Sequence, residues 1–229
     1  MASVWIYTLI PVTATLFGTA ISTQFRPGPV LISAVQHFAA GVVFAAAAGE
    51  ILPDVMHGGS PLATVIGGVL GVGLMLLIKQ LEGMVRGPVS LILTVGVDVL
   101  VDGLLLGIAF AAGARAGILL TMALTIEVLF LGMTVATELK ETVASQLRVV
   151  GIVALIVLAL PFGTIIAGSV AALPGPVLTG FFSFGLMALL YLVTEELLAD
   201  AHETPDKPWV AAMFFVGFLL LITLDELLG

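Results

Sequence analysis

The sequence contains no cysteine, which excludes a disulfide framework, a thiolate metal site and a thiol nucleophile. Charged residues are also scarce: they make up 10% of the 229 residues, whereas hydrophobic residues make up 60% and the mean hydropathy is +1.26. A water-soluble globular domain does not reach such a composition. The composition therefore predicts an integral membrane protein.

Long apolar runs divide the chain into membrane spans separated by short hinges. At about 20 residues a span, the chain holds roughly eight, which leaves no length for an extramembrane catalytic or nucleic-acid-binding module. The runs do not alternate in hydropathy, which disfavours a β-barrel, and the opening segment lacks the basic start of a cleaved signal peptide. We therefore expect an all-α membrane protein, whose 26 glycines favour close helix packing. Proline, glycine and charge place the spans at 4–24, 30–53, 61–81, 88–112, 115–138, 148–170, 175–199 and 208–228.

Basic residues are few and unevenly distributed. The chain has seven Lys and Arg against 15 Asp and Glu, a formal net charge of −8 that repels nucleic acid and anionic headgroups and favours a cationic partner. All basic residues except Arg115 follow odd-numbered spans: Arg26, Lys79, Arg86, Lys140, Arg148 and Lys207. Since Lys and Arg of short loops stay on the cytoplasmic side, we expect a multi-pass protein of the cell membrane with both termini outside.

Two distant spans end in similar patterns of acids. The second span ends in GEILPDVMH and the seventh in TEELLADAH. These two spans cross in opposite directions, so they indicate inverted repeats in residues 1–86 and 142–229 around a central helix pair in 87–141, an architecture found in transporters. The alternative is that an acidic helix end arose twice by chance.

Three acids lie where a membrane span normally has none. Asp98 and Asp102 are near the middle of span four, and Glu127 is near the middle of span five. A carboxylate at mid-bilayer costs about 2.5–3.5 kcal/mol on insertion scales, and no Lys, Arg or His lies at a matching depth to pair with these three. The three acids are therefore either protonated or neutralised by a bound cation.

The spacing of these acids indicates a cation path. Asp98 and Asp102 are an i, i+4 pair on one helix face, and Glu127 shares a face with Thr134 and Glu138. Three carboxylates in a dry bundle suit a hard or borderline divalent ion, but the pattern does not distinguish Zn, Mn, Fe, Co or Cd. The alternative is that the acids are protonated and join helices by hydrogen bonds. No organic cofactor is expected.

The same residues resemble the motifs of the ZIP family of divalent-metal transporters. That family's fourth span carries His-Asn-x-x-Asp/Glu-Gly, where this chain has Asp98-Val-Leu-Val-Asp102-Gly followed by LLLGIAFAAGARAG. The family's fifth span usually carries His/Gln-Glu/Asp-x-x-Glu-Gly, where this chain has Glu127-Val-Leu-Phe-Leu-Gly. The segments HFAAGVVFAAAAGEILPD and GLMALLYLVTEELLADAHE are similar to the family's second and seventh spans. The resemblance covers nearly the whole chain and implies transport of a divalent metal as the substrate.

The chain departs from the family where the family binds a second metal. The resemblance implies that Asp98, Asp102 and Glu127 ligate the first metal, whereas Leu131 replaces the acid that bridges the two metals. The other positions that would ligate the second metal are apolar: Val99, Val128 and Phe162. The resemblance therefore implies one mononuclear site made of carboxylates.

Polar residues also occur at the ends of spans two and seven. Capture of a metal outside and its release inside would suit two groups of side chains: Glu50, Asp54 and His57, and Asp200, His202 and Glu203. A solvated helix end is the preferred interpretation of each of them and of four further acids: Glu195, Glu196, Asp225 and Glu226. His37, near the start of span two, is interpreted as a packing or headgroup-level histidine.

Three functions are compatible with these features. The leading hypothesis is transport of a divalent cation past the three mid-span acids, with the outer repeats rocking against the central pair. The second is a non-transporting ZIP-like sensor or scaffold, which the loss of the second metal site suggests. The third is an intramembrane hydrolase, but no nucleophile motif or His-Glu-x-x-His supports it, so no enzyme is expected. The expected partners are the metal ion and membrane lipid, and a homodimer is left open.

Overall fold

A computed structural model of the chain describes residues 4–24, 28–84, 88–204 and 207–228. All secondary structure in these ranges is helical, apart from turns. We number the main helices α1 (Val4–Gln24), α2 (Pro29–His57), α3 (Pro61–Met84), α4 (Pro88–Ala112), α5 (Ala114–Thr142), α6 (Gln146–Ala167), α7 (Gly175–Ala201) and α8 (Pro208–Leu228). Four of these eight begin at proline, whose fixed φ and missing N–H suit the first turn of a helix.

Seven helices of the described part, α2 to α8, are long and apolar enough to cross a membrane. The apolar part of α1, Ile6–Ser22, is shorter. Large apolar side chains are exposed on the outer faces, among them Leu62 and Val69 of α3 and Phe215 of α8, and exposed apolar surface of this kind suits contact with lipid. The prediction of an all-α, multi-pass membrane protein is confirmed at this level.

The helices match the predicted spans closely, with two informative differences. Helix α2 was expected to end at residue 53 but continues to His57, and α5 continues to Thr142. Two basic residues used for the orientation, Arg26 and Arg86, lie outside the described residues, as does the predicted repeat boundary at 86.

The helices pack as two groups of four. Bundle A contains α1, α4, α5 and α6, in which α1 packs on α5, α4 packs on α6, and α4 packs on α5. Bundle B contains α2, α3, α7 and α8, in which α2 packs on α8 and α3 packs on α7. This set of pairs is unchanged when α1, α2, α3 and α4 are exchanged with α6, α7, α8 and α5, respectively.

Each of the four outer pairs meets through glycine. A Cβ on Gly18 of α1 would lie 2.0 Å from the carbonyl oxygen of Leu129, and a Cβ on Gly103 of α4 would lie 2.0 Å from that of Leu160. Glycines of the same kind lie between α2 and α8 and between α3 and α7: Gly41, Gly217, Gly67 and Gly71. In lipid, where helices gain little from hydrophobic burial, such backbone approaches supply much of the packing energy.

Two threonines add matching hydrogen bonds inside bundle A. Thr19 Oγ1 donates to the carbonyl oxygen of Gly132 at 3.2 Å, and Thr164 Oγ1 donates to that of Gly103 at 2.9 Å. Both threonines follow a Phe-Gly pair in the sequence. The same motif thus fixes α1 against α5 and α6 against α4.

Helices α2 and α7 each contain one widened π-helical turn. These turns cover Ala47–Ile51 in α2 and Leu192–Leu197 in α7, and they hold Glu50 and Glu196. A π turn inserts one residue and rotates the side chains that follow it relative to a regular helix. These two acids, which occupy equivalent places near the start of the similar sequence patterns, therefore lie on equivalent irregular turns.

Candidate metal site between the two bundles

The three mid-span acids lie together where α4 packs on α5. Asp102 is 1% exposed and Glu127 is 5% exposed, while Asp98 is partly buried. Glu127 interacts electrostatically with both aspartates. The helix pairing therefore brings the predicted carboxylates close together, with the i, i+4 spacing placing both aspartates on the face of α4 that meets α5.

A fourth carboxyl group reaches this cluster from bundle B. Glu196, on the π turn of α7, interacts electrostatically with both Asp102 and Glu127. The sequence favoured a solvated helix end for Glu196; in the structure this residue is half-buried, and α7 packs against α4. In the repeated sequence pattern Glu196 occupies the place of Glu50, but that pattern does not say which helix its side chain meets. We call these four acids the carboxyl cluster: Asp98, Asp102, Glu127 and Glu196.

Part of the carboxyl cluster has no hydrogen-bond partner. Within the described ranges, Asp102 Oδ2 and Glu127 Oε2 are buried and accept no hydrogen bond. An unsatisfied buried oxygen costs about 1–3 kcal/mol, more when it is charged. Three basic side chains bind elsewhere, namely Lys79 to Glu195, Arg115 to Asp225 and Lys140 to the carbonyl oxygen of Ser22. Since no described residue donates to these two oxygens, a proton, water or a cation is needed to compensate for their burial.

The side chains of the carboxyl cluster do not converge on one point as the ligands of a metal ion do. In the part of the chain that the structure describes, no three His, Asp or Glu residues are arranged so that they could hold a metal ion. Asp98, Asp102 and Glu127 are thus neighbours without forming a ligand shell.

The four apolar residues at positions where the resemblance predicts no second metal lie in different surroundings. Val99 and Leu131 line a small cavity inside bundle A together with Val95 and Val153. Val128 is fully buried among other apolar side chains, and Phe162 is exposed on the outside of α6.

At one end of the molecule, an ion pair joins the two bundles. Arg115, at the start of α5, pairs with the Asp225 carboxylate of α8 and donates from Nη2 to the Asp225 carbonyl oxygen at 3.0 Å. The Arg115 Nε atom is also 3.9 Å from Glu50 Oε1 of α2. Glu50 in turn interacts with Asp54, which interacts with His57. We call this end the Arg115 end; the predicted outer group of acids lies here, and one of its members is already paired.

Acids of both bundles meet at the opposite end. Glu138 of α5 interacts electrostatically with Asp200 of α7, and Asp200 interacts with Glu203 and Lys79. Here Lys140 binds α1 from α5, within bundle A. We call this the Lys140 end. The polar face that was predicted to run from Glu127 to Glu138 thus ends beside the predicted release group.

Comparison with known proteins adds no relative. No protein-family model matches the chain, and no curated protein matches it. The resemblance to the ZIP family therefore stays a prediction, and the site is interpreted from its own residues.

Proposed function

We propose that this protein carries a divalent metal cation across a membrane past Asp98, Asp102 and Glu127. The observation that carries the proposal is a pair of buried carboxyl oxygens, on Asp102 and Glu127, to which no donor among the described residues forms a hydrogen bond. A divalent cation supplies two positive charges to two buried carboxylates, which removes the cost of charging them in a dry environment.

The chemistry of the carboxyl cluster favours a hard or borderline ion. Its side chains offer only oxygen, the ligand preferred by Mn²⁺ and tolerated by Fe²⁺, Co²⁺, Zn²⁺ and Cd²⁺. Because carboxyl groups must lose their protons to bind a metal, uptake should fall as the pH is lowered.

The packing supports movement of one bundle against the other. Helices α1 and α6 pack on α5 and α4, so in this proposal they move together with the central pair and not against it. Asp102 and Glu127 belong to bundle A, and Glu196 belongs to bundle B. Movement of one bundle along the other therefore changes the surroundings of the ion. A site between moving parts can face each side of the membrane in turn.

The orientation follows the positive-inside rule. We place the Lys140 end in the cytoplasm, the Arg115 end outside, eight spans including α1, and both termini outside in a cell membrane. The exchange symmetry of the helix pairs and the repeated Phe-Gly-Thr contacts support inverted repeats. The ion pair at Arg115 then holds the outer end closed.

Flux into proteoliposomes tests the proposal. We expect the wild type to accumulate at least one of Mn²⁺, Fe²⁺, Zn²⁺, Co²⁺ and Cd²⁺, and Asp102→Asn and Glu127→Gln to reduce that flux at least tenfold. Glu226→Gln is the matched control, since it removes an exposed acid at the end of α8. Undiminished flux of every ion in both site variants would exclude this mechanism.

A non-transporting sensor or scaffold is the second candidate. It is favoured by the apolar surroundings of Val99 and Leu131 and by the carboxyl cluster, whose described side chains do not converge as metal ligands do. Wild-type vesicles that match empty vesicles for all five ions, from protein that still binds one of them, would support this candidate.

A further inference from the structure

Two of the three histidines of the chain meet at the Lys140 end of bundle B. His37 of α2 is 2% exposed, whereas His202, just after α7, is exposed. Their ring centres are 5.1 Å apart and the ring planes are inclined by 61°. The contact joins residues that are 165 positions apart in the sequence, so the fold and not local spacing creates it.

Ser33 holds the two histidines in register. Its hydroxyl donates to the carbonyl oxygen of Ala201 at 2.8 Å, and its own carbonyl oxygen accepts a hydrogen bond from His37 Nδ1 at 2.9 Å. One residue therefore fixes both the start of α2 against the end of α7 and the orientation of the His37 ring.

In the neutral form of each ring, its hydrogen bond also fixes the tautomer. A carbonyl oxygen can only accept, so the proton of His37 is on Nδ1 and its Nε2 carries a lone pair. The Nδ1 atom of His202 likewise donates, to the carbonyl oxygen of Leu198. His37 Nε2 is buried and has no hydrogen-bond partner among the described residues. Anchoring one ring nitrogen on a carbonyl while the other is left as a donor of electrons is the usual arrangement of a metal-ligating histidine.

From this arrangement we propose that His37 and His202 form a second metal subsite, which binds a borderline transition-metal ion such as Zn²⁺ or Cu²⁺ with water completing its coordination. Two imidazoles on one tetrahedral ion, each about 2.0–2.1 Å from it, place their ring centres roughly 5 Å apart. Ring packing alone occurs at similar distances, but it leaves the lone pair of His37 without a partner among the described residues.

The subsite differs in chemistry from the carboxyl cluster. Imidazole selects Zn²⁺, Cu²⁺, Ni²⁺ and Co²⁺ over Mg²⁺ and Mn²⁺, whereas carboxylates discriminate less. His202 follows Asp200 on the same helix end, and Asp200 interacts with Glu138, where the proposed cation path ends. Its role as the inner station of that path rests on the proposed function; metal binding by the two histidines does not.

Electron paramagnetic resonance of Cu²⁺ bound to the full-length protein tests the subsite, because nitrogen ligands give a hyperfine pattern that oxygen ligands lack. We expect the coupling of two imidazoles in the wild type, and its loss with an at least tenfold weaker Cu²⁺ affinity in His37→Gln and His202→Gln. His57→Gln removes the third histidine, at the Arg115 end, and should keep both the two-imidazole coupling and the Cu²⁺ affinity of the wild type. Since His202 is exposed, His202→Gln tests the site even where the buried substitution prevents folding.

The outcomes separate this inference from the transport proposal. Absence of imidazole coupling in the wild type, or coupling that is unchanged in His202→Gln, overturns the subsite, whatever the flux. Imidazole coupling in a protein that moves no ion supports the subsite and counts against transport. Coupling that persists in Asp102→Asn, in which flux is lost, supports both.

Discussion

Burial of the Asp102 and Glu127 carboxyl oxygens lowers the stability of the fold, and a bound ligand can offset this loss. Each oxygen has left water without gaining a protein donor within the described ranges, so each destabilises the metal-free fold. Groups of this kind are kept by selection for function more often than for stability, because an apolar or neutral replacement would hold the helices together better.

This cost predicts how Asp102→Asn should behave. An amide is cheaper to bury than a carboxylate, so we expect the variant to be more stable than the wild type without metal, by about 1–3 kcal/mol. The stabilisation of the wild type by added Mn²⁺ or Zn²⁺ should be lost in the variant. Thermal unfolding in detergent with and without each ion measures both effects.

Glu226→Gln provides the comparison for Asp102→Asn, because the carboxylate it removes is exposed at the end of α8. It should leave the metal-free stability and its response to metal unchanged. A variant Asp102→Asn that still gains the full wild-type stabilisation from metal would show that the ion binds elsewhere.

At the level of helices, most boundaries could be predicted from the sequence because prolines and charges mark them. Helices α1, α4 and α8 match the predicted spans at both ends. Helix α2 differs because its π turn precedes Pro53, and in this turn the Leu52 N–H donates to the carbonyl oxygen of Ala47. The widened turn accommodates the proline, so the helix continues to His57. The position of Glu196 and the contact of His37 with His202 depend on which helices pack together, and no local pattern encodes that.

The helix pairs themselves depend on glycine, which predicts a contrast between two glycines of α4. In Gly103→Ala the new Cβ would lie 2.0 Å from the Leu160 carbonyl oxygen, so α4 and α6 must separate. We expect a loss of about 1–3 kcal/mol or more in the free energy of unfolding, measured by titration with a denaturing detergent.

Gly96→Ala is the control on the same helix. Nothing lies within 4 Å of a Cβ at this position, so the substitution should be neutral or stabilise α4 by up to about 1 kcal/mol through its higher helix propensity. Equal losses in the two variants would mean that the close approach of α4 to α6 does not contribute to stability.

For the whole molecule, the packing order differs from the chain order. The sequence predicted two repeats around a central pair, yet α1 and α6 pack within bundle A and α2, α3, α7 and α8 form bundle B. In the proposed inverted-repeat arrangement, each of the two bundles contains helices of both repeats. Charges at the two ends act in opposite senses on the separation of the bundles. Arg115 of bundle A attracts Asp225 of bundle B at one end, whereas Glu138 of bundle A repels Asp200 of bundle B at the other.

The Arg115 ion pair should therefore control access from its own end. Because Arg115 is exposed to solvent, its pairing with Asp225 stabilises the closed end only modestly, and losing it should change the population of an open state by on the order of fivefold. The chain has no native cysteine, so a single Thr121→Cys reports on this opening without background. Thr121 is 2% exposed and lies on α5 between Arg115 and Glu127.

We expect a membrane-impermeant maleimide, added from the Arg115 side, to label Thr121→Cys about five times faster when Arg115→Ala is also present, as measured by the mass of the intact protein. Lys140→Ala is the matched control, because Lys140 binds Ser22 within bundle A and does not join the bundles. Labelling that is equally fast in the presence and absence of Arg115 would mean that the ion pair does not hold this end closed.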